Sequence, residues 1–178
     1  MKLLLASDIH GSAVYTRRLV DVINVTAPDL IVLLGDVYNH GPRNPLPEGY
    51  APMEVASLLN AYKDRLLVIR GNCDSEVDQM ISDFHFVESA ALFIGGKTLY
   101  LSHGHVYHPD HLPAIPAGSA FAYGHVHTVI DRTVSGVHVL NPGSLSLPKD
   151  GHHAYILIED ASVRTYSLDG TLLSQSTL

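Results

Sequence analysis

The chain has 178 residues, 46% apolar and 16% charged, which suits one globular domain with a full hydrophobic core and excludes a disordered or fibrous polypeptide. Eighteen acidic against 11 basic residues leave a formal net charge of -7, a poor starting point for a sequence-tolerant nucleic-acid binder. A single cysteine forms no intrachain disulfide, and the apolar run Met1–Ala6 meets Asp8 and His10 too soon for a leader or a membrane span, which points to the cytoplasm.

Leu3 to Ala6 reads as a short buried strand, followed by the turn Ser7-Asp8-Ile9-His10-Gly11. Ser12 suits a helix N-cap, and Tyr15, Leu19, Val22 and Ile23 recur at helical spacing beyond it. Leu30 to Leu34 is a second buried strand, ended by Gly35-Asp36. A loop rich in Pro and Gly runs from Asn39 to Pro52, long enough to be a functional feature. Val55, Leu58, Leu59 and Tyr62 mark a second helix; Leu66 to Ile69 is a third strand, ended by Gly71-Asn72. Ser75 and Asp78 form a capping-box pattern for a short helix.

From about Phe86 the pattern changes to short strand-like runs: Ala91 to Ile94, Thr98 to Leu101, Ala120 to Tyr123, Val137 to Leu140 and Ala154 to Ile158. The first half alternates strand and helix, and the second half is mostly strands. No repeat or linker divides the chain, so residues 1–178 are expected to form one α/β domain around packed sheets.

The polar residues fall where such folds place ligands. Asp8, His10, Asp36 and Asn72 follow the first three strands, and His103, His125 and His127 follow strands of the second half. The pairs Asp8/His10 and His125/His127 are spaced by two, so along an extended chain each pair points one way and can reach a shared site. Gly11, Gly35, Gly71, Gly104 and Gly124 each adjoin one of these residues, where tight turns and close backbone approach need a missing side chain. The remaining histidines, His40, His85, His108, His111, His138, His152 and His153, read as structural or solvent-facing, and Lys149-Asp150 as a solvated turn. Asn141-Pro142-Gly143-Ser144 reads as turn-forming.

The series Asp8-Ile9-His10, Gly35-Asp36, Gly71-Asn72-Cys73-Asp74, His103-Gly104-His105 and Gly124-His125-Val126-His127 resembles the calcineurin-like metallophosphoesterases over residues 1 to about 145. Within them, the segments Asn39 to Asn44, Leu46 to Tyr50 and Gly71 to Gln79 resemble the small bacterial YfcE-type phosphodiesterases. The resemblance implies a four-layer α-β-β-α sandwich, two packed mixed sheets flanked by helices. It also implies a ligand set: Asp8, His10 and His127 for one divalent metal, Asn72, His103 and His125 for a second, and Asp36 bridging both. Such a mixed oxygen and nitrogen set suits Mn, Fe, Zn, Co or Ni, and the subgroup points to Mn2+. The implied reaction is hydrolysis of a phosphodiester by a hydroxide bridging two metals.

Many relatives have a histidine where this chain has Cys73, a poorer general acid. His105 and Asp74 are the nearest groups to assist a leaving group, so Asp36, Asn72, Cys73, Asp74 and His105 form the expected catalytic set. Asn39, Arg43 and Cys73 are expected to touch substrate, Arg43 by folding back to grip a phosphate. The expected partner is a small phosphoester, without a membrane or a stable nucleic-acid partner. Strand edges in the second half offer pairing surfaces for a homo-oligomer. Two rival readings are a non-catalytic interaction scaffold like the related retromer subunit, and a phosphomonoesterase or nuclease of the same fold. Occupancy of all seven ligand positions favours catalysis over the scaffold.

Overall fold

A computed structural model describes residues 1–178. Strand β1 (Lys2–Ala6) leads to helix α1 (Ala13–Thr26), β2 (Leu30–Leu33), α2 (Pro52–Asn60), β3 (Leu66–Ile69), the short helix α3 (Glu76–Met80) and the two-residue strand β4 (Phe86–Val87). Strands then follow one another without helices: β5 (Ala90–Ile94), β6 (Lys97–Leu101), β7 (Ala120–Ala122), β8 (Val129–Val134), β9 (Val137–Pro142), β10 (Ala154–Glu159), β11 (Ser162–Ser167) and β12 (Leu172–Thr177). No helix is long and apolar enough to cross a membrane.

Two mixed sheets result, a seven-stranded one in the order β12-β11-β10-β1-β2-β3-β4 and a five-stranded one in the order β5-β6-β7-β9-β8. The unbroken apolar runs of β1 and β2 have a direct cause: both faces of these strands are buried. Leu4, Ala6, Ile31 and Leu33 turn toward α1 and α2, while Leu3, Leu5 and Val32 turn toward the second sheet. There they meet Leu99, Leu101, Ala120, Ala122 and Leu140, so one apolar layer joins the sheets.

The helices form as their termini dictate. The Tyr15 N–H donates to the Ser12 hydroxyl at 3.3 Å, Pro52 occupies the first turn of α2, and the Ser75 N–H donates to the Asp78 carboxylate at 2.7 Å. All three helices lie in the first part of the chain. The outer face of the five-stranded sheet carries Phe121, Tyr123, Val137 and Val139, against which Tyr107, Leu112 and Ile115 pack. The fourth layer of the sandwich is thus supplied largely by the connection between β6 and β7, a loop closed by a small His108–His111 bridge.

The division into two halves does not match the division into two sheets. β10 pairs antiparallel with β1 (Leu3 opposite Ile158, Leu5 opposite Ile156), bringing β11 and β12 into the first sheet. Strands β8, β11 and β12, which the sequence patterns did not single out, have a common character: they include Asp131, Arg132, Arg164 and Gln175 and present half-exposed faces.

Candidate metal centre

The loops leaving β1, β2, β3, β6 and β7 meet on one rim. The β1 loop continues alongside the β2 loop, with the Asp8 N–H donating to Gly35 O (3.0 Å), His10 N–H to Asp36 O (2.9 Å) and Gly11 N–H to Val37 O (2.8 Å). At the rim of the five-stranded sheet, the Gly124 N–H donates to His103 O at 2.8 Å. The backbone here is not extended, which corrects the spacing-by-two expectation. Asp8, His10, Asp36, His125 and His127 all have φ between 50° and 67°, in the left-handed region. Each such non-glycine residue costs roughly 1 kcal/mol or more, a strain that persists only where surrounding contacts enforce it. Asp8 and His10 reach the same cluster by curling rather than by pleating. His125 and His127 part company, each joining a different cluster.

The first cluster is Asp8, His10 and His127, all buried. His10 Nδ1 donates to Asn39 O at 2.7 Å and His127 Nδ1 to Leu147 O at 2.9 Å. Each ring therefore presents an Nε2 lone pair inward, and the two Nε2 atoms are 3.1 Å apart. Asp8 Oδ2 accepts from Ser7 Oγ (2.6 Å) and the His125 N–H (2.9 Å), whereas Oδ1 is buried with no hydrogen-bond partner, 3.2 Å from His127 Nε2. Three electron-rich atoms facing one point need a proton or a cation between them.

The second cluster is Asp36, His103 and His125, with Asn72 beside it. His103 Nδ1 donates to Leu34 O at 2.7 Å, and its Nε2 faces Asn72 Oδ1 at 3.1 Å and Asp36 Oδ2 at 3.4 Å. Asp36 Oδ2 is also 3.8 Å from His10 Nε2, so this one oxygen lies between the two clusters. The same conflict of acceptors recurs here. The donor set thus fits two divalent cations. Burial pulls the His103 imidazole down, but the Asp36 and Asp8 carboxylates override it and raise it to about 9. Burial likewise pushes the Asp8 carboxyl up, and His10 and His127 outweigh it, holding Asp8 below the usual carboxylate range.

Asp74 does not face the cavity, contrary to its expected part in assisting a leaving group. Its carboxylate is buried and accepts from the Asp36 N–H (2.8 Å), the Val37 N–H (2.8 Å) and the Gly71 N–H (2.7 Å). It clamps the β2 and β3 loops together. Burial raises its carboxyl to about 6 against the pull of these amides. Gly71 has no room for a Cβ, which would collide with the Asp36 side chain. The Cys73 N–H donates to Asp36 Oδ1 at 2.8 Å, leaving Oδ2 free for the clusters. Burial and then Asp36 push the Cys73 thiol up to about 12, so it stays protonated at neutral pH.

A cavity of about 760 Å³ opens over both clusters. Asn39, Arg43 and Cys73 line it, as does Lys149, which the sequence pattern had relegated to a solvated turn. Its backbone N–H donates to His127 O at 2.8 Å, which draws the turn to the rim. His105 is exposed, its ring 5.4 Å from that of His103 and 6.4 Å from that of His125. Behind the clusters, Ser144 Oγ and Ser146 Oγ both donate to Asp8 O, and Asn141 Nδ2 donates to Gly124 O at 2.7 Å. The segment Asn141-Pro142-Gly143-Ser144, expected as a turn but continuing from the end of β9, was the available signal for these supports; Ser7 had none. Of the other histidines, His138 is tied to Asp131 (2.7 Å), and His153 to Tyr15 (3.2 Å) and Leu145 O (2.7 Å).

The family model described as Calcineurin-like phosphoesterase superfamily domain matches residues 1–162. Phosphodiesterase YfcE of Escherichia coli K12 is 41% identical over 180 aligned residues, covering 98% of this chain and 97% of that protein. The solved structure of YfcE, a phosphoesterase from E. coli, matches with a TM-score of 0.96 at 39% identity and covers 99% of both chains. Vacuolar Protein Sorting 29 from Cryptosporidium parvum matches with a TM-score of 0.63 at 20% identity over 99% of this chain and 98% of its own, a likeness of fold alone.

Proposed function

Because the chain belongs to the calcineurin-like phosphoesterase superfamily, we propose that the rim cavity is a two-metal centre at which a phosphodiester is hydrolysed. The observation that carries this reading is the inward meeting of His10 Nε2 and His127 Nε2, 3.1 Å apart, beside the unpartnered Asp8 Oδ1. Asp8, His10 and His127 would hold one divalent ion and Asn72, His103 and His125 the other, with Asp36 placed between the two groups. Manganese is the proposed metal on the resemblance to the YfcE-type subgroup; the oxygen and imidazole donors suit it as they suit Fe, Zn, Co or Ni. When bound, the pair supplies Lewis acidity that activates water and neutralises charge developing on the phosphoryl oxygens.

The chain's own residues do the rest. Main-chain carbonyls of Asn39, Leu147 and Leu34 hold His10, His127 and His103 in the tautomer that offers Nε2. Asp74 and the Cys73 N–H fix Asp36 so that a single oxygen points at both clusters. Arg43 and Asn39 on the cavity wall face the substrate, and the exposed amide of Asn72 contacts the phosphoryl group. Cys73, protonated and half-buried, offers only a weak donor to the departing alkoxide, and His105 stands at the margin. Diesters of acidic alcohols are therefore the better substrates. Residues 1–178 act as one domain, and cytoplasmic residence and pairing of strand edges between copies belong to the same proposal.

Reconstitution of chelated protein with manganese, followed by assays on a small diester, a monoester and single-stranded DNA, tests the reading. Turnover is expected on the diester, with the monoester and DNA slower by about tenfold or more. Faster turnover of the monoester or the DNA would move the reading to those substrates, and none on any would favour a scaffold.

A further inference from the structure

The cavity wall carries more positive charge than a simple diester needs. Of its 12 lining residues only Pro42 and Val126 are apolar side chains of any size, and none is Phe, Tyr or Trp. A nucleobase or aryl group would find no large aromatic platform there. Two cations, Arg43 and Lys149, line the cavity, and neither is in an ion pair. The acidic neighbour of Lys149 forms no ion pair with it: Asp150 Oδ2 accepts from the Val129 N–H at 2.6 Å and Oδ1 from the His152 N–H at 3.1 Å. On a chain of net charge -7, two uncompensated cations beside one opening form a local exception. The phosphate of a diester has a single negative charge, already met by the metal-binding clusters under the reading above. Its volume of about 760 Å³ lies in the range of roughly 300–1,000 Å³ typical of sites that hold whole small molecules.

Resting on the phosphodiesterase reading, we infer that Arg43 and Lys149 recognise a second anionic group on the substrate, a carboxylate or a phosphate monoester on the alcohol portion. The favoured class is a small, polar, doubly charged phosphodiester rather than a nucleotide or an apolar ester. Guanidinium geometry suits either anion in bidentate fashion, and the lysine adds a point charge.

Three p-nitrophenyl alkyl phosphodiesters of equal chain length, ending in hydroxyl, carboxylate or phosphate, provide the test. For the manganese-loaded protein in about 20 mM salt, kcat/KM for the anionic tails is expected to exceed that for the hydroxyl tail by about tenfold. The advantage should shrink at about 500 mM salt, as charges on an exposed wall are screened. Lys149→Gln and Arg43→Gln should each reduce the ratio of anionic to hydroxyl kcat/KM by about threefold, and the double variant should abolish it. Calorimetric binding of non-hydrolysable phosphonates with the same three tails should rank in the same order. Carboxylate or phosphate ranking first decides which anion is the better fit. Equal kcat/KM for all three tails, or a preference surviving in the double variant, overturns the inference while leaving the phosphodiesterase reading intact. Absence of turnover on all three overturns both.

Discussion

The two donor clusters differ in how they are enclosed, although both set imidazole and carboxylate against each other. Asp8, His10 and His127 are all buried, with each imidazole Nδ1 tied to a main-chain carbonyl and Asp8 tied by Ser7 and the His125 amide. In the second cluster His103 is the one imidazole with such a tie, and Asp36 is held by the Cys73 amide; His125 is half-buried without a ring hydrogen bond, and Asn72 is exposed. Ordered, buried ligands hold a cation with little reorganisation, whereas exposed ones give it up more readily and leave room for a substrate. One cluster is built for retention and the other for access, with Asp36 between them.

The largest effect is expected where the clusters join. Asp36→Ala should lower kcat/KM for a diester by about 10³-fold or more and reduce bound metal from two equivalents, measured by elemental analysis. Two equivalents retained at unaltered affinity would break the idea that Asp36 links the clusters. The contrast in enclosure is tested by chelation: metal should leave in two phases, separated by about tenfold or more in rate, the scale on which supporting hydrogen bonds tune metal affinity. His125→Ala should remove the faster phase and spare the slower. A single phase in the unaltered protein would show that the clusters hold their ions alike.

A smaller effect is expected behind the ligands. Asp74→Asn replaces one of the two oxygens that accept from three amides with an NH2 donor and should cost about 1–3 kcal/mol in denaturant unfolding, with a roughly tenfold loss of kcat. Stability lost without any loss of kcat would reduce Asp74 to a loop staple. Cys73→His gives the smallest shift: a gain of about threefold in kcat on a diester with a poor leaving group, through a better proton donor. An unaltered kcat would leave the cysteine with its backbone role alone, the amide that orients Asp36.

Much of this centre was legible because its residues are short-range signals at strand ends. Asp8, His10, Asp36 and Asn72 each follow an apolar run, and His10, Asp36 and Asn72 each adjoin a glycine; that pattern survives without knowledge of which strands are neighbours. Strands β1, β2, β3 and β7 were readable for the same reason, since burial on both faces demands continuous apolar side chains. Strands β8, β11 and β12 were less so, because half-exposed faces dilute the pattern with charged residues. Lys149 offered no signal at all: an exposed lysine in a turn is ordinary until the His127 carbonyl draws that turn to the rim. Asp74 misled for a related reason, as a carboxylate adjacent to a ligand motif looks the same whether it faces a cavity or three amides.

From the sequence alone come the donor types, their order along the chain and the apolar strands that carry them, because residue chemistry and local periodicity are properties of neighbours in the chain. Only the tertiary structure decided that β10 to β12 return to pair beside β1 and that a left-handed backbone at five of the donors aims them inward. Those outcomes depend on contacts between residues a hundred or more positions apart, such as His125 with Asp8, and no local pattern encodes a partner at that distance.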